Sequence, residues 1–160
     1  MNYELKEPRG IRNNNPLNIR YNVNNKWCGR VVTEKKDKEF EEFVQLMWGY
    51  RAAFIIIKNY MESGLTTVAQ IIRKWAPPKE NNTQRYIRTV CEKANLLEDE
   101  ELDFLMPCKM VPLVKAMAFV EVGCVPAHED CHKAYRAVVE QLHYRIRPKC
   151  LDNCCPVPGY

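Results

Sequence analysis

Apolar residues recur at three- and four-residue steps from Phe40 onward: Phe40, Phe43, Leu46, Met47, Tyr50, Phe54 and Ile57 form one stripe. A helix with one buried face requires that period, so the stripe predicts a helix running to about Glu62. Gly49 inside it marks a bend or close approach, and Gly64 beyond it is placed to cap it. Thr66 or Thr67 then opens a second helix through Val68, Ile71, Ile72 and Trp75, which Pro77-Pro78 stops. Asn82-Thr83 starts a third, with Tyr86, Ile87, Val90 and Cys91 on one face. A fourth opens near Pro112, buries Leu113, Ala116, Met117 and Val120, and ends at Gly123. The fifth runs from about Glu129 to Arg145 with Tyr135, Val138, Val139 and Leu142 inward. Ahead of Phe40 the pattern differs. Residues 8–30 are rich in Asn, Arg, Gly and Pro, with Asn13-Asn14-Asn15-Pro16 the densest turn signal, and predict irregular or short β structure rather than helix. Arg30 to Glu39 alternates weakly, as a short strand or loop would. The expected fold is mainly α (α+β): about five helices plus a short irregular region near the N-terminus.

A chain of 160 residues fits one domain, which at that size buries roughly two thirds of the surface its unfolded form exposes. That domain is expected over residues 1–147, followed by a cysteine- and proline-rich tail over 148–160, expected to be flexible. No internal repeat or heptad register is present, which excludes a solenoid and a coiled coil. A hydrophobic fraction of 46% with 28% charged residues excludes wholesale disorder. The longest apolar stretches, such as Ala52 to Ile57, fall short of the roughly 20 residues a membrane helix needs, so no span is expected. The opening MNYELKEPRG carries charges where a secretory signal has its apolar core, so synthesis in a bacterial cytoplasm without such a signal is expected.

Net charge is +4, and it is uneven: residues 1–30 hold six Lys and Arg against Glu4 and Glu7. Such an opening favours anionic partners. Nucleic acid is disfavoured among them, because no basic recognition helix or interleaved aromatic and basic platform is present. The run Glu98, Asp99, Glu100, Glu101 and Asp103 reads as a solvated face.

Eight cysteines are expected to be reduced thiols in the absence of a secretory signal. Cys124, His128, Cys131 and His132 are all zinc-ligand types, but their order lacks the paired spacing of structural zinc sites. No metal and no cofactor are therefore expected. A phosphate loop, a G-x-S-x-G elbow and an H-E-x-x-H helix are missing from the sequence. A Cys–His peptidase built from Cys28 or Cys124 with His128, His132 or His143 stays a minor alternative, because such partners need not adjoin in sequence.

Four stretches go beyond composition. Arg9-Gly10-Ile11-Arg12-Asn13-Asn14-Asn15-Pro16-Leu17-Asn18-Ile19-Arg20 resembles the opening RGIRNNNPGNIR of a family of phage structural and lysin-like proteins. Trp48-Gly49-Tyr50-Arg51-Ala52-Ala53 resembles that family's G-x-R-A helix. Trp75 to Thr83, with Tyr86 and Val90, resembles its W-A-P-P-x-E-N-x-T-x-x-Y-x-x-V segment, and Ala116 to Gly123 its A-M-x-x-x-E-x-G helix. Leu17 stands where the family often has Gly, and the segment from Cys124 on has no counterpart. The resemblance implies a lysozyme-like protein of phage or prophage type acting on peptidoglycan at the cell wall or from a virion. More faintly, the motifs resemble those of lytic transglycosylases in circularly permuted order, with Leu113 to Gly123 as the Glu-bearing helix.

Cleaving a glycosidic bond requires an acid to protonate the departing oxygen, and a carboxyl in partly apolar surroundings suits that task. Glu121, after Ala118, Phe119 and Val120 and before Gly123 at a helix end, is one catalytic candidate. Glu80, in a loop stiffened by Pro77 and Pro78, is the other, and the sequence leaves both open beside their plainer roles as surface or loop residues. Arg12, Asn13, Asn14, Asn15, Asn18 and Trp27, with Asn81, Thr83 and Tyr86, are candidates for holding glycan by hydrogen bonds and stacking. The same Asn residues also suit left-handed turns. Trp48 and Trp75 lie on helix faces and read as core. The leading expectation is a peptidoglycan glycosidase or lytic transglycosylase whose partners are glycan strands and other virion proteins. The alternative is a non-catalytic virion or wall-binding module on the same fold.

Overall fold

The computed structural model describes residues 7–143, so the expectations for the tail after Arg147 lie outside the described residues. Six helices form among them: α1 (Arg9–Arg12), α2 (Leu46–Glu62), α3 (Val68–Trp75), α4 (Thr83–Ala94), α5 (Pro107–Val122) and α6 (His128–His143). β structure among the described residues is confined to single antiparallel bridges, Arg20 to Phe40, Arg30 to Phe43 and Thr67 to Glu101. The fold is mainly α, as the periodicity predicts.

α5 is the central element, packing against α1, α2, α4 and α6. Met110, Val111, Leu113, Val114, Ala116, Met117 and Ala118 are all buried, so this helix is covered on nearly every side. α2 and α6 close one flank of it, and α3 and α4 the other.

Caps fix the ends of the lesser helices. Thr67 accepts from the Gln70 amide while the Gln70 side chain accepts from the Thr67 amide, a reciprocal box that starts α3. Asn82 accepts from the Arg85 amide at 3.1 Å and starts α4. α5 ends on Gly123 in the left-handed region, φ 81°.

Three boundaries differ from the sequence reading. α2 begins at Leu46 rather than Phe40, because Phe40 and Phe43 are held extended in the bridges to Arg20 and Arg30. α5 begins at Pro107, so Pro112 lies inside a helix and removes one ladder hydrogen bond there. Burial of the residues around Pro112 outweighs that loss. Residues 9–12, expected to be irregular, form the one turn of α1, in which the Pro8 carbonyl accepts from the amides of Ile11 and Arg12.

The asparagine turn follows α1. Asn14 (φ 50°) and Asn18 (φ 48°) adopt the left-handed conformation that Asn tolerates better than most side chains. Leu17, at the position where the resemblance pattern often has Gly, is fully buried and anchors the turn in the core.

Candidate functional site

Glu121 lies in the last turn of α5, half-buried, and three segments distant in sequence converge on its carboxylate. The Trp75 indole N–H, at the end of α3, donates to Oε1 at 3.2 Å. The Tyr86 hydroxyl, one turn into α4, donates to the same oxygen at 2.9 Å. The Asn18 side-chain amide donates to Oε2 at 3.1 Å and to the Glu121 main-chain carbonyl at 3.2 Å. That last bond also satisfies one of the carbonyls a helix C-terminus leaves without a partner.

All donors are neutral, and Glu121 forms no ion pair among the described residues. Burial, with Glu121 beside it, pushes the Tyr86 phenol well above its ordinary value, so Tyr86 is a fixed donor at neutral pH. Among the described residues Oε2 accepts a single hydrogen bond and retains a lone-pair direction for a further partner.

The sequence folds locally to make this meeting. Thr83 is buried and its hydroxyl donates to the Ala76 carbonyl at 2.6 Å, closing the loop between α3 and α4 so that Trp75 and Tyr86 face one point. α1 brings in the asparagine turn by close approach: a Cβ on Gly10 would stand 2.6 Å from both Asn18 Oδ1 and Val122 Cγ1. The stretches that carried the family resemblance therefore interlock at one carboxylate, with Asn18 from the first, Trp75 and Tyr86 from the third and Glu121 from the fourth. Gly49, from the second, packs against the turn itself.

The other candidates lie elsewhere. Glu80 is exposed, and its carboxylate stands 3.6 Å from Arg20. Asn81 is exposed, its amide 3.4 Å from the Pro77 carbonyl. Asn15 is fully buried: its amide donates to the carbonyls of Ile19 and Glu41 and its oxygen accepts from the Ile19 amide, which leaves no atom for a ligand. Asn14 donates to the Phe43 carbonyl and Asn13 to Asp37. These amides hold the turn in shape. Trp27 packs half-buried against the core, and its indole nitrogen is buried without a hydrogen-bond partner. Arg12 is exposed at the end of α1.

Two groups were not singled out by the sequence reading. Trp75 reads as a core residue, and nothing in the sequence tells where its N–H points. Asp37 lies in the segment whose weak alternation reads as a short strand or loop, between Lys36 and Lys38, yet its carboxylate is buried. It accepts from Arg9 twice (2.5 and 2.7 Å), from Asn13 (2.8 Å) and from the amides of Glu39 and Phe40. The Arg9 guanidinium, followed by those donors, holds the Asp37 carboxyl well below the usual carboxylate range. A depressed folded pKa stabilises the fold above the unfolded value of about 3.8, and that stabilisation fades as pH falls below it. Asp37→Asn is therefore expected to flatten the fall of melting temperature between pH 5 and pH 3, as measured by thermal denaturation across that range; a variant curve parallel to the parent's would refute the assignment.

A concavity of roughly 620 Å³ opens between α1 and the loop of residues 36–39, lined by Arg9, Arg12, Asn13 and that loop. It does not include Glu121. A second buried carboxylate, Glu41, lies 2.9 Å from Arg30 Nε but off the hydrogen-bonding axis, and stays within the turn's own scaffold. Burial pushes the Cys131 thiol up to about 12, which makes it inert. Among the described residues no cluster of three or more His, Cys, Asp or Glu is placed to hold a metal, and no helix is long and apolar enough to cross a membrane.

No family model matches the chain. Over 126 residues it is 36% identical to Protein P5 of Pseudoalteromonas phage PM2, an alignment that covers 76% of each chain.

Proposed function

The chain belongs to the phage protein family that includes Protein P5 of Pseudoalteromonas phage PM2, and on that premise we propose that it is a lysozyme-like enzyme that cleaves the glycan strands of peptidoglycan. The observation that supports this reading is the convergence on Glu121: a half-buried carboxylate oriented by three neutral side chains, paired with no cation among the described residues and with one oxygen incompletely engaged. Such a group can hand a proton to a departing glycosidic oxygen and take one back, which is the work of a single acid/base residue. In the first step Glu121 protonates the oxygen that leaves. In the second it accepts a proton, either from water that adds to the sugar, giving a reducing end, or from the sugar's own 6-hydroxyl, giving a 1,6-anhydro end. Trp75, Tyr86 and Asn18 position the carboxylate throughout. The chain acts at the cell wall, from a virion or after release from the infected cell.

A second reading is a non-catalytic wall-holding or virion module, whose partners include other virion proteins. It is favoured by the place of the concavity beside α1, which lies away from Glu121, and by the inward-turned amides of Asn13, Asn14 and Asn15. The two readings part on purified walls. Incubation with the protein is expected to release soluble sugar fragments whose reducing or anhydro ends, identified by mass spectrometry, tell hydrolysis from transglycosylation. Retention of the protein on walls with no fragment released would establish the second reading instead.

A further inference from the structure

The concavity beside α1 is built on a saturated ion pair. Arg9 spends its fork on Asp37 and its remaining terminal nitrogen on Glu39 at 2.9 Å, so this cation is a wall of the site and not a ligand for anything else. The Asp37 carboxylate, with five donors on it, ties the loop to α1 and fixes where the flanking residues emerge. Lys36 and Lys38 emerge on either side of it in sequence, exposed, and Arg12 lies one helical turn from Arg9. None of these three makes an ion pair among the described residues. Three unpaired cations thus line a concavity whose buried carboxylate, Asp37, is already committed to Arg9.

We propose that this concavity binds the carboxylates of peptidoglycan stem peptides, a subsite for the peptide arms of the strand, which rests on the reading that the strand is the substrate. The sugars of that strand carry no charge that three cations could recognise, whereas the stem peptides end in free carboxylates. Arg12 offers a planar fork suited to a carboxylate, and Lys36 and Lys38 offer point charges beside it. Glu39 decides against a continuous polyphosphate. Its side chain is 65% exposed on the same wall, so it would repel a run of phosphates but can receive the amine of a diamino acid within a stem peptide. The site fits a ligand of mixed charge in which carboxylates predominate.

Co-sedimentation with insoluble walls tests this in the Glu121→Gln background, where binding is measured without cleavage. The triple substitution Arg12→Gln, Lys36→Gln and Lys38→Gln changes only exposed residues, and thermal denaturation checks that it folds. It is expected to weaken binding to native walls roughly tenfold at low salt, with the difference shrinking at high salt as exposed charges are screened. On walls whose stem-peptide carboxylates have been capped as neutral amides by carbodiimide coupling to an uncharged amine, the triple variant and its parent are expected to bind alike and less tightly. Equal binding of the two to native walls overturns the proposal, as does undiminished binding of the parent to walls with capped carboxylates. Competition by duplex DNA as strong as competition by free stem peptide would replace it with a phosphate-binding site. Fragment release by the unsubstituted protein is scored separately, so failure of the glycosidase reading and failure of this subsite give different results.

Discussion

Glu121→Gln is expected to slow the release of sugar fragments from purified walls by roughly 10²–10⁴-fold, the contribution that a positioned general acid/base makes. The substitution preserves shape and removes only the ability to exchange a proton. Its amide oxygen still accepts from Trp75 and Tyr86, but its new N–H₂ group faces the Asn18 amide that had donated to Oε2. Two donors then meet, so a stability loss of about 1 kcal/mol accompanies the loss of rate. That cost is too small to unfold the domain, and a melting curve separates the two effects. Glu80→Gln is the matched control. Its carboxylate is exposed and only 3.6 Å from Arg20, a surface pair that contributes between nothing and about 1 kcal/mol. Walls cleared at the parental rate by folded Glu121→Gln would remove this carboxylate from the chemistry.

The helices that were legible in the sequence are those whose ends are set by local chemistry. α3 and α4 begin at Thr67 and Asn82, whose side chains bond amides three positions on, so the signal and its cause lie within one turn. The starts of α2 and α5 depart from the sequence pattern for the opposite reason. Phe40 and Phe43 keep helical spacing but pair with Arg20 and Arg30, partners that a local window does not contain. Pro112 reads as a first-turn proline, and only the burial of α5 on nearly all sides explains its place within the helix. The site divides along the same line. Glu121, Asn18 and Tyr86 were each visible through motifs, but the direction of the Trp75 N–H is a property of how α3 meets α5. Asp37 was hidden most completely: its place among lysines suggests solvent, and its burial depends on Arg9, 28 residues earlier.

Gly49→Ala carries the largest expected effect on stability, and two opposing terms give it a sign that can be checked. Alanine in a helix interior is favoured over glycine by about 1 kcal/mol, so propensity alone predicts a more stable protein. Space predicts the reverse. A Cβ at position 49 would stand 2.2 Å from the Asn14 carbonyl oxygen and 2.8 Å from Pro16 Cδ. The obstacle is backbone, and that backbone is tied down: Asn15 is bonded through both ends of its amide, and the Asn13 carbonyl accepts from the Phe43 amide at 2.9 Å. The turn cannot recede without breaking those bonds, and overpacking of this kind costs about 1–3 kcal/mol or more. Overpacking outweighs propensity, and the melting temperature is expected to fall by roughly 5–10 °C. Gly64→Ala, where no atom lies within 4 Å of the added Cβ but φ is +96°, carries left-handed strain without overpacking and is expected to cost only about 1 kcal/mol. Because the displaced turn also carries Asn18, Gly49→Ala should lower fragment release more than its stability alone would require. A Gly49→Ala protein melting at or above its parent would mean that α2 and the asparagine turn do not meet at this distance, and the positioning of Asn18 on Glu121 would then need another support.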